Sequence, residues 1–244
     1  MTPRRPTRAP EALPLAPPPP TEPRLPVTRE RILRAAITLA DEQGLAALTM
    51  RALGDALGVK AMSLYNHVAD KDDILDGIVD LVVGEMQVPS PAEPWRLSMR
   101  SRAFSAHEVL LRHPWACGQL MSRVNVGPAM LRYVDATIGC LHGAGFSLAM
   151  ADHAWNALDS FTYGFTLQKL NFPFEADEYS KVAAGYLPSL SAERYPSMHA
   201  LTTLVASGGH DGLHDFAFGL DLLLDGLERA CPVVHSTPCS NVSP

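Results

Sequence analysis

The sequence lacks the segments and motifs that identify a membrane protein, a disulfide-rich protein or a common enzyme. No run approaches the roughly 18 uninterrupted apolar residues of a transmembrane helix. The 4 cysteines are scattered without a C-x-x-C pair, which argues against a zinc knuckle or a disulfide framework and favours reduced thiols. A glycine-rich phosphate loop, a G-x-S-x-G elbow and an H-E-x-x-H motif are also missing. These absences predict a protein that is not an enzyme and needs no cofactor.

Basic residues are also fewer than acidic ones: the chain has 20 Lys and Arg and 26 Asp and Glu, which gives a net charge of −6. The distribution matters more than the sum, because most of the acidic excess lies after residue 75. The acidity therefore does not exclude nucleic-acid binding by the first 75 residues. A hydrophobic content of 47% and a mean hydropathy of +0.02 suit a helix-rich protein with a large core.

Residues 1–26 are rich in proline, so they predict a disordered or extended arm. A disordered tail is expected over residues 232–244. The arm lacks the apolar core of a signal peptide, which favours a cytoplasmic protein. Its four arginines either contact DNA or belong to a solvated linker, and both interpretations remain open.

Residues 49–71, TMRALGDALGVKAMSLYNHVADK, predict two short helices joined by a tight turn. Thr49 is a good N-cap, and Gly58 can adopt the left-handed backbone that ends a helix. The second helix is expected over residues 61–67. Such a pair of helices is typical of a helix-turn-helix, whose second helix enters the major groove of DNA.

Residues 27–75, called the head below, are expected to form a compact three-helix unit. Thr28 can cap its first helix and Gly44 can end it, while Asp70 can cap a long fourth helix. About fifty residues make a small domain, so the fourth helix is expected to join the head to the rest. Residues 76–231, called the body below, read as helices with little sign of strands.

The run LGVKAMSLYNHVADKDDIL resembles the signature of the tetracycline-repressor (TetR) family, including its Leu-Gly-Val turn. The similarity covers residues 28–82. The later segments LLRHPWACGQL, GAGFSLAMADHAWNALDSFTYGF and FGLDLLLDGLE resemble the regulatory domain of that family. The resemblance implies an all-α fold in which an N-terminal three-helix helix-turn-helix head is joined by a long helix to a ligand-binding and dimerisation domain.

The residues of the head that suit DNA contact are concentrated in the helix-turn-helix. Arg51 and Lys71 can reach phosphates or a guanine edge, whereas Asn66 can pair with adenine. The resemblance implies that Tyr65 and His67 contact the DNA backbone, although both could instead brace the head against the fourth helix. The predicted DNA-binding set is Thr49, Arg51, Ala61, Met62, Ser63, Tyr65, Asn66, His67 and Lys71.

The body is expected to serve dimerisation. Its predicted helices cover residues 95–113, 128–142, 147–170, 195–206 and 212–230, with a looser connection over 171–194. The resemblance implies a homodimer held by a four-helix bundle, to which each subunit contributes residues 147–170 and 212–230. Two heads would then meet a palindromic double-stranded DNA operator.

Residues 104–168 mix aromatic and apolar side chains with isolated polar groups, as small-molecule pockets do. An ordinary helical core has the same mixture, and the resemblance favours the pocket. His107, on the same helical face as Phe104 and Leu111, is the expected polar contact. The predicted ligand-binding set is Phe104, His107, Leu111, Trp115, Met121, Met130, Asn156, Ser160, Phe161 and Phe165.

The resemblance also predicts which ligand the pocket does not take. Tetracycline repressors hold a magnesium–drug chelate with two histidines and a glutamate, and Met121, Ser160 and Gln168 stand at those positions. None of the three is a carboxylate or an imidazole, so an apolar or aromatic effector bound without metal is expected. His210 and His214 could hold a transition metal, but a helix cap explains their neighbouring aspartates equally well.

The sequence thus predicts a ligand-responsive transcriptional regulator, most simply a repressor that an effector releases from its operator. An activator remains open, as does a redox-sensing Cys117 or Cys140. The alternative function is a small-molecule carrier or protein-interaction module of the same fold that does not read DNA.

Overall fold

The computed structural model describes residues 26–172, 174, 176–210 and 215–231. Within those ranges every regular element is helical, which confirms the predicted all-α fold. The expected disordered arm and tail lie outside the described residues, apart from Pro26. In the described part of the chain, no helix is both long and apolar enough to span a membrane.

The described residues form a series of helices along the chain. The N-terminal elements are α1 (Arg29–Gln43), a 3-10 turn (Leu45–Ala47), α2 (Met50–Leu57), α3 (Ala61–Leu64) and α4 (Lys71–Val83). The next are α5 (Trp95–Arg112), α6 (Pro114–Ser122), α7 (Pro128–Gly143) and α8 (Leu148–Leu170). The last are α9 (Ala176–Tyr186), a 3-10 turn (Leu187–Ser189), α10 (Pro196–Ala206) and α11 (Phe216–Ala230).

The helix starts predicted in the head are confirmed by their capping hydrogen bonds. The Thr49 hydroxyl accepts from the amide of Ala52 at 3.1 Å, and the Asp70 carboxylate accepts from the amide of Asp73 at 2.8 Å. Gly58 ends α2 with a φ of 69°, a conformation that favours glycine. The turn between α2 and α3 is therefore fixed by local chemistry.

The prediction that α3 continues to His67 is wrong, because the helix ends at Leu64. The amides of His67 and Val68 both donate to the carbonyl of Leu64, at 2.9 and 3.1 Å. The chain therefore closes into a tight turn while Val68 remains buried. The apolar spacing of Leu64 and Val68 suits this turn as well as a longer helix, so periodicity alone did not distinguish them.

The head has a core of its own that α4 completes. Ile32, Leu53, Leu64 and Ile74 come from four different helices and are all fully buried in one cluster. Burial of each such side chain stabilises the fold by about 1.5–3 kcal/mol. Trp115 of α6 also packs against this cluster, so the core of the head extends into the body.

The body contains two apolar clusters that share the central helix α5. One joins α5 to α7, α8 and α11, and the other joins α4, α5, α6, α7 and α8. Two helices were not predicted: α6, which begins at Pro114, and α9, which lies in the expected loose connection. His113 is non-helical because it precedes a proline, so α5 stops there and α6 starts as a new helix.

Candidate functional site

The helix-turn-helix presents most of the predicted DNA-binding side chains to solvent. Met62 is 75% exposed and Tyr65 46% exposed, and Asn66 and His67 are exposed beside them. Leu64 is fully buried on the opposite side of the same segment. The amphipathic division expected of a recognition segment is therefore present, although only part of the segment is helical.

Basic side chains flank this segment. Arg51, on the first turn of α2, is 92% exposed and lies 4.0 Å from Asp55, a spacing that holds it only weakly. Lys71 is exposed at the first position of α4, and Lys60 is exposed just before α3. Lys60 was not in the predicted set. It lines an open groove between α2 and α3 together with Arg51, Ala61 and Ser63.

Gly54 sets how closely α2 and α3 approach. A Cβ added there would lie 2.9 Å from the carbonyl oxygen of Val59 and 3.1 Å from the amide nitrogen of Ala61. Backbone atoms cannot move aside as a flexible side chain can, so any larger residue would alter the angle between the two helices. Position 54 therefore requires glycine because of packing.

Three sets of contacts attach the head, and the helix α4 that leads out of it, to the rest of the body. Asp41 of α1 accepts from the ring Nδ1 of His113 at 2.8 Å and from the indole Nε1 of Trp115 at 2.7 Å. Arg123 donates to Asp76 of α4 at 2.8 Å. Asp80 of α4 accepts the first free amides of α7, from Ala129 at 3.2 Å and Met130 at 2.9 Å.

The structure brings four of the predicted ligand-binding residues into one aromatic cluster. His107 stacks on Phe216 of α11 with ring centroids 4.4 Å apart, and Phe104, Phe161 and Phe165 pack around the same ring. Phe216 was not predicted, because it lies in a helix assigned to dimerisation. Five rings from α5, α8 and α11 therefore pack together in the body.

His107 is a neutral hydrogen-bonding group within this aromatic cluster. Its Nδ1 lies 2.7 Å from the hydroxyl of Thr166, which itself donates to the carbonyl of Thr162. The Nδ1 of His107 therefore carries the proton, which leaves Nε2 as an acceptor. Burial, assisted by the charge of Lys169, lowers the pKa of His107 to about 4, so the ring is uncharged at neutral pH.

The other predicted ligand-binding residues do not join this cluster. Met121 is 60% exposed, and Asn156 and Ser160 lie on the exposed face of α8. Trp115 lies at the junction with the head, and Met130 packs in the cluster that α4 shares with the body. Leu111 is half-buried.

A buried polar cluster between α5, α7 and α8 was not predicted from the sequence. Arg102 is 1% exposed, its Nη1 donates to Asp159 at 2.7 Å, and its guanidinium lies 4.4 Å from the ring centroid of Tyr133. Trp155 and Tyr163 also donate to Asp159, at 2.7 and 3.1 Å. The available signal was that a charged residue stands on the apolar stripe of α5.

Three polar atoms of this cluster are buried without a hydrogen-bond partner among the described residues. They are Nε and Nη2 of Arg102 and the hydroxyl of Tyr133. An unsatisfied buried donor costs about 1–3 kcal/mol, so such groups are uncommon in folded proteins. Burial raises the pKa of the Tyr133 hydroxyl, which therefore holds its proton and can donate it.

Cys117 and Cys140 offer little reactivity. Burial raises the pKa of Cys117 to about 11, and burial also raises the pKa of Cys140. Oxidation proceeds through the thiolate, so these two thiols are poor candidates for redox sensing. His214 lies outside the described residues, so the structure does not describe the candidate His210–His214 metal site. No group of three metal-ligating side chains occurs among the residues that the structure does describe.

Two family models match separate parts of the chain. Bacterial regulatory proteins of the tetR family match residues 32–78, and the tetracyclin repressor-like C-terminal domain matches residues 88–231, more than half of the chain. An HTH-type transcriptional regulator of Saccharopolyspora erythraea is 37% identical over 139 residues, 57% of this chain and only 59% of that protein.

Two further relatives match over more of their length. The HTH-type transcriptional repressor DrrR1 of Streptomyces coeruleorubidus is 29% identical over 213 residues, 83% of this chain and 77% of that protein. ActR of Streptomyces coelicolor, solved in complex with actinorhodin, has a TM-score of 0.73 and 27% identity over 85% of this chain and 98% of ActR. These relatives are regulators and not enzymes. The chain belongs to the tetracycline-repressor (TetR) family of bacterial transcriptional regulators.

Proposed function

We propose that the protein is a cytoplasmic transcriptional repressor that binds a palindromic operator as a homodimer and releases it when a small aromatic effector binds. The observation that carries this proposal is the intact DNA-facing surface of the head. Tyr65, His67 and Lys71 are all exposed on one side of a short stretch of chain whose opposite side is buried. DrrR1 is a repressor and ActR binds actinorhodin, which supports both halves of the proposal.

The homodimer is supported by exposed side chains of α8 and α11. Phe218 is 67% exposed and Leu222 is 55% exposed, four residues apart on one face of α11. The exposed face of α8 carries the small residues Ala157, Ser160 and Gly164, which allow a second helix to approach closely. A four-helix bundle of α8 and α11 from two subunits would cover both faces. Residues 212–214 of the predicted segment lie outside the described residues.

The contacts that α1 and α4 make with the rest of the body provide the route by which an effector would act. Asp41 ties α1 to the start of α6, and Asp76 and Asp80 tie α4 to Arg123 and to α7. A shift of α6 or α7 on effector binding would therefore move the head as a rigid unit. Two heads moved in this way would no longer match two successive major grooves.

The effector is proposed to bind without metal. Met121 and Gln168 are exposed, and Ser160 lies on the outer face of α8, so the three positions do not form a carboxylate–imidazole site for magnesium. The aromatic cluster around His107 and Phe216 instead suits a flat, unsaturated ring system.

The experiment that tests the function is a titration of the purified protein against labelled DNA from upstream of its own gene. Random DNA of equal length is the control, and both titrations are run at two salt concentrations. Tight binding that random DNA cannot match is expected, with affinity falling as salt rises. Equal, weak binding to both DNAs would favour the alternative, a small-molecule carrier or protein-interaction module of this fold.

Two variants connect the result to the surface. Tyr65→Ala and Lys71→Ala are each expected to weaken operator binding at least tenfold while the helical content is unchanged. Tyr186→Ala, at a tyrosine 66% exposed on α9, is the matched control and is expected to bind as the wild type does. Operator binding that is unaffected by Tyr65→Ala and Lys71→Ala would contradict the assigned surface.

A further inference from the structure

Arg102 uses only one edge of its guanidinium for the ion pair that holds it. Nη1 donates to Asp159, whereas Nε and Nη2 are buried and find no acceptor among the described residues. The N–H groups of Nε and Nη2 point the same way from one edge of the planar group. That edge can bind a carboxylate through two parallel hydrogen bonds.

Asp159 does not depend on Arg102 alone. Its second oxygen, Oδ2, accepts from the indole Nε1 of Trp155 at 2.7 Å and from the hydroxyl of Tyr163 at 3.1 Å. Trp155 and Tyr163 therefore hold the carboxylate through Oδ2, and Oδ1 is left to accept from Nη1 of Arg102. The ion pair thus positions the guanidinium and leaves its second edge available.

Tyr133 supplies another donor close to the guanidinium of Arg102. Its ring lies 4.4 Å from the guanidinium carbon of Arg102, and its hydroxyl is buried without a partner among the described residues. The residue is 2% exposed, so solvent does not satisfy the hydroxyl. Two different side chains, from α5 and α7, therefore present unsatisfied donors in one buried place.

The surroundings of these donors are apolar and reach the surface. Met130 lies one helical turn before Tyr133 on α7, and Leu167 lies one turn after Tyr163 on α8. Both are half-buried members of the same apolar cluster. Met130 has a flexible side chain, which can move to admit a small molecule towards the buried donors.

We propose that the effector carries an acidic oxygen group, a carboxylate or an ionised phenol or enol, which binds Arg102 through Nε and Nη2 and Tyr133 through its hydroxyl. The proposal rests on the proposed function and deepens it, because it names the chemistry by which the body selects its effector. It also changes the expectation from the sequence, since a purely apolar molecule would leave all three donors unsatisfied. The effector is an aromatic acid and not simply an aromatic molecule.

The test uses two fluorescent probes that differ in one group. 1-Anilinonaphthalene-8-sulfonate carries an anionic oxygen group, and N-phenyl-1-naphthylamine has the same rings without it. Both are titrated into the full-length protein in the absence of DNA. The wild type is expected to bind the anionic probe at least tenfold more tightly than the neutral one.

Variants assign that preference to the buried donors. Arg102→Met is expected to bring the two affinities within twofold of each other, and Tyr133→Phe is expected to reduce the preference severalfold. Arg132→Met, at an exposed arginine one position before Tyr133, is the matched control and is expected to keep the full preference. Tyr133→Phe breaks no hydrogen bond in the described structure, so it decides the question even where Arg102→Met fails to fold.

The possible outcomes separate this site from the proposed function. Equal affinity for both probes in the wild type, or a preference that both Arg102→Met and Tyr133→Phe retain, would overturn the acid site. A protein that binds its upstream DNA specifically but shows no anion preference would lose only this inference. A preference that depends on Arg102 and Tyr133 without specific DNA binding would support the site and overturn the repressor function.

Discussion

The indole Nε1 of Trp115, in the first turn of α6, donates a hydrogen bond to Oδ1 of Asp41, in the last turn of α1, at 2.7 Å. The same carboxylate accepts from Nδ1 of His113 at 2.8 Å. One aspartate of the head therefore binds both His113, at the junction of α5 and α6, and Trp115 of α6. This carboxylate would couple the proposed DNA-facing surface to the helices of the proposed effector-binding body.

Replacement of Asp41 by alanine is expected to lower the free energy of unfolding by about 1–3 kcal/mol, because it leaves the donors of His113 and Trp115 without their acceptor. Urea unfolding at matched protein concentration measures the change. Glu42→Ala alters the next, exposed position and is expected to stay within about 0.5 kcal/mol of the wild type. Equal stability of the two variants would show that the link carries little energy.

Two threonine caps separate a structural role from a DNA-binding one. Thr28 accepts from the amide of Arg31 at 3.3 Å and Thr49 from the amide of Ala52 at 3.1 Å. Each Thr→Ala variant is expected to lose about 1 kcal/mol of stability through the lost cap. Only Thr49→Ala is expected also to weaken operator binding, measured under conditions in which both variants are fully folded. Equal operator affinities would remove Thr49 from the DNA-binding set.

His107 predicts how stability depends on pH. Its pKa is lowered from 6.5 to about 4 in the folded protein, mainly by burial, so the unfolded chain takes up a proton more readily. This contribution to stability is complete above pH 6.5 and is lost as the pH falls towards 4, by about 3 kcal/mol at most. His107→Phe keeps a ring against Phe216 and removes the titration.

Urea unfolding at pH 7.5 and pH 5 checks this dependence. Stability of the wild type is expected to fall more between the two pH values than stability of His107→Phe, measured at one protein concentration because dissociation of a dimer would add to both. The stability of each protein at pH 5 is compared with its own stability at pH 7.5. The hydrogen bond to Thr166 that His107→Phe lacks therefore does not bias the comparison. Identical losses in the two proteins would mean that His107 is not the group that titrates.

The exposed face of α11 predicts the assembly state. Phe218→Asp or Leu222→Asp would place a charge in the proposed four-helix bundle, so monomers are expected by sedimentation velocity or light scattering. Leu131→Asp, at a leucine 56% exposed on α7, is the matched control and is expected to remain dimeric. Monomers should also bind the operator weakly, because each would contact a single half-site. A dimer that survives both α11 variants would place the interface elsewhere.

The head could be predicted from the sequence largely because its signals are local. Thr49, Gly58 and Asp70 each act within four residues of their own position. The sequence alone therefore identifies where α2 and α4 begin and where α2 ends. The end of α3 was missed because Leu64 and Val68 are buried by a tight turn in the same way as by a helix. Hydrophobic periodicity predicts which side chains face inward, but it does not predict whether the backbone there forms a helix or a turn.

The acid site could not be predicted because three separate helices build it. Arg102 and Asp159 are 57 residues apart in the chain, and Tyr133 lies between them on a third helix. Only the packing of α5, α7 and α8 decides that these side chains meet, and no spacing rule within one helix encodes it. The one sign of this site in the sequence was Arg102, a charged residue on the buried stripe of α5.

The carboxylate that satisfies the first amides of α7 comes from Asp80 of α4, and an added Cβ on Gly127 would collide with the same side chain. The start of α7 is therefore completed by a helix that begins in the head. One family match ends at residue 78 and the other begins at residue 88, and Asp80 lies between them. A recombination joint in this interval can therefore separate Asp80 from the helix that it completes. A foreign head joined to this body after residue 80 would therefore have to supply a carboxylate at that position to complete the start of α7.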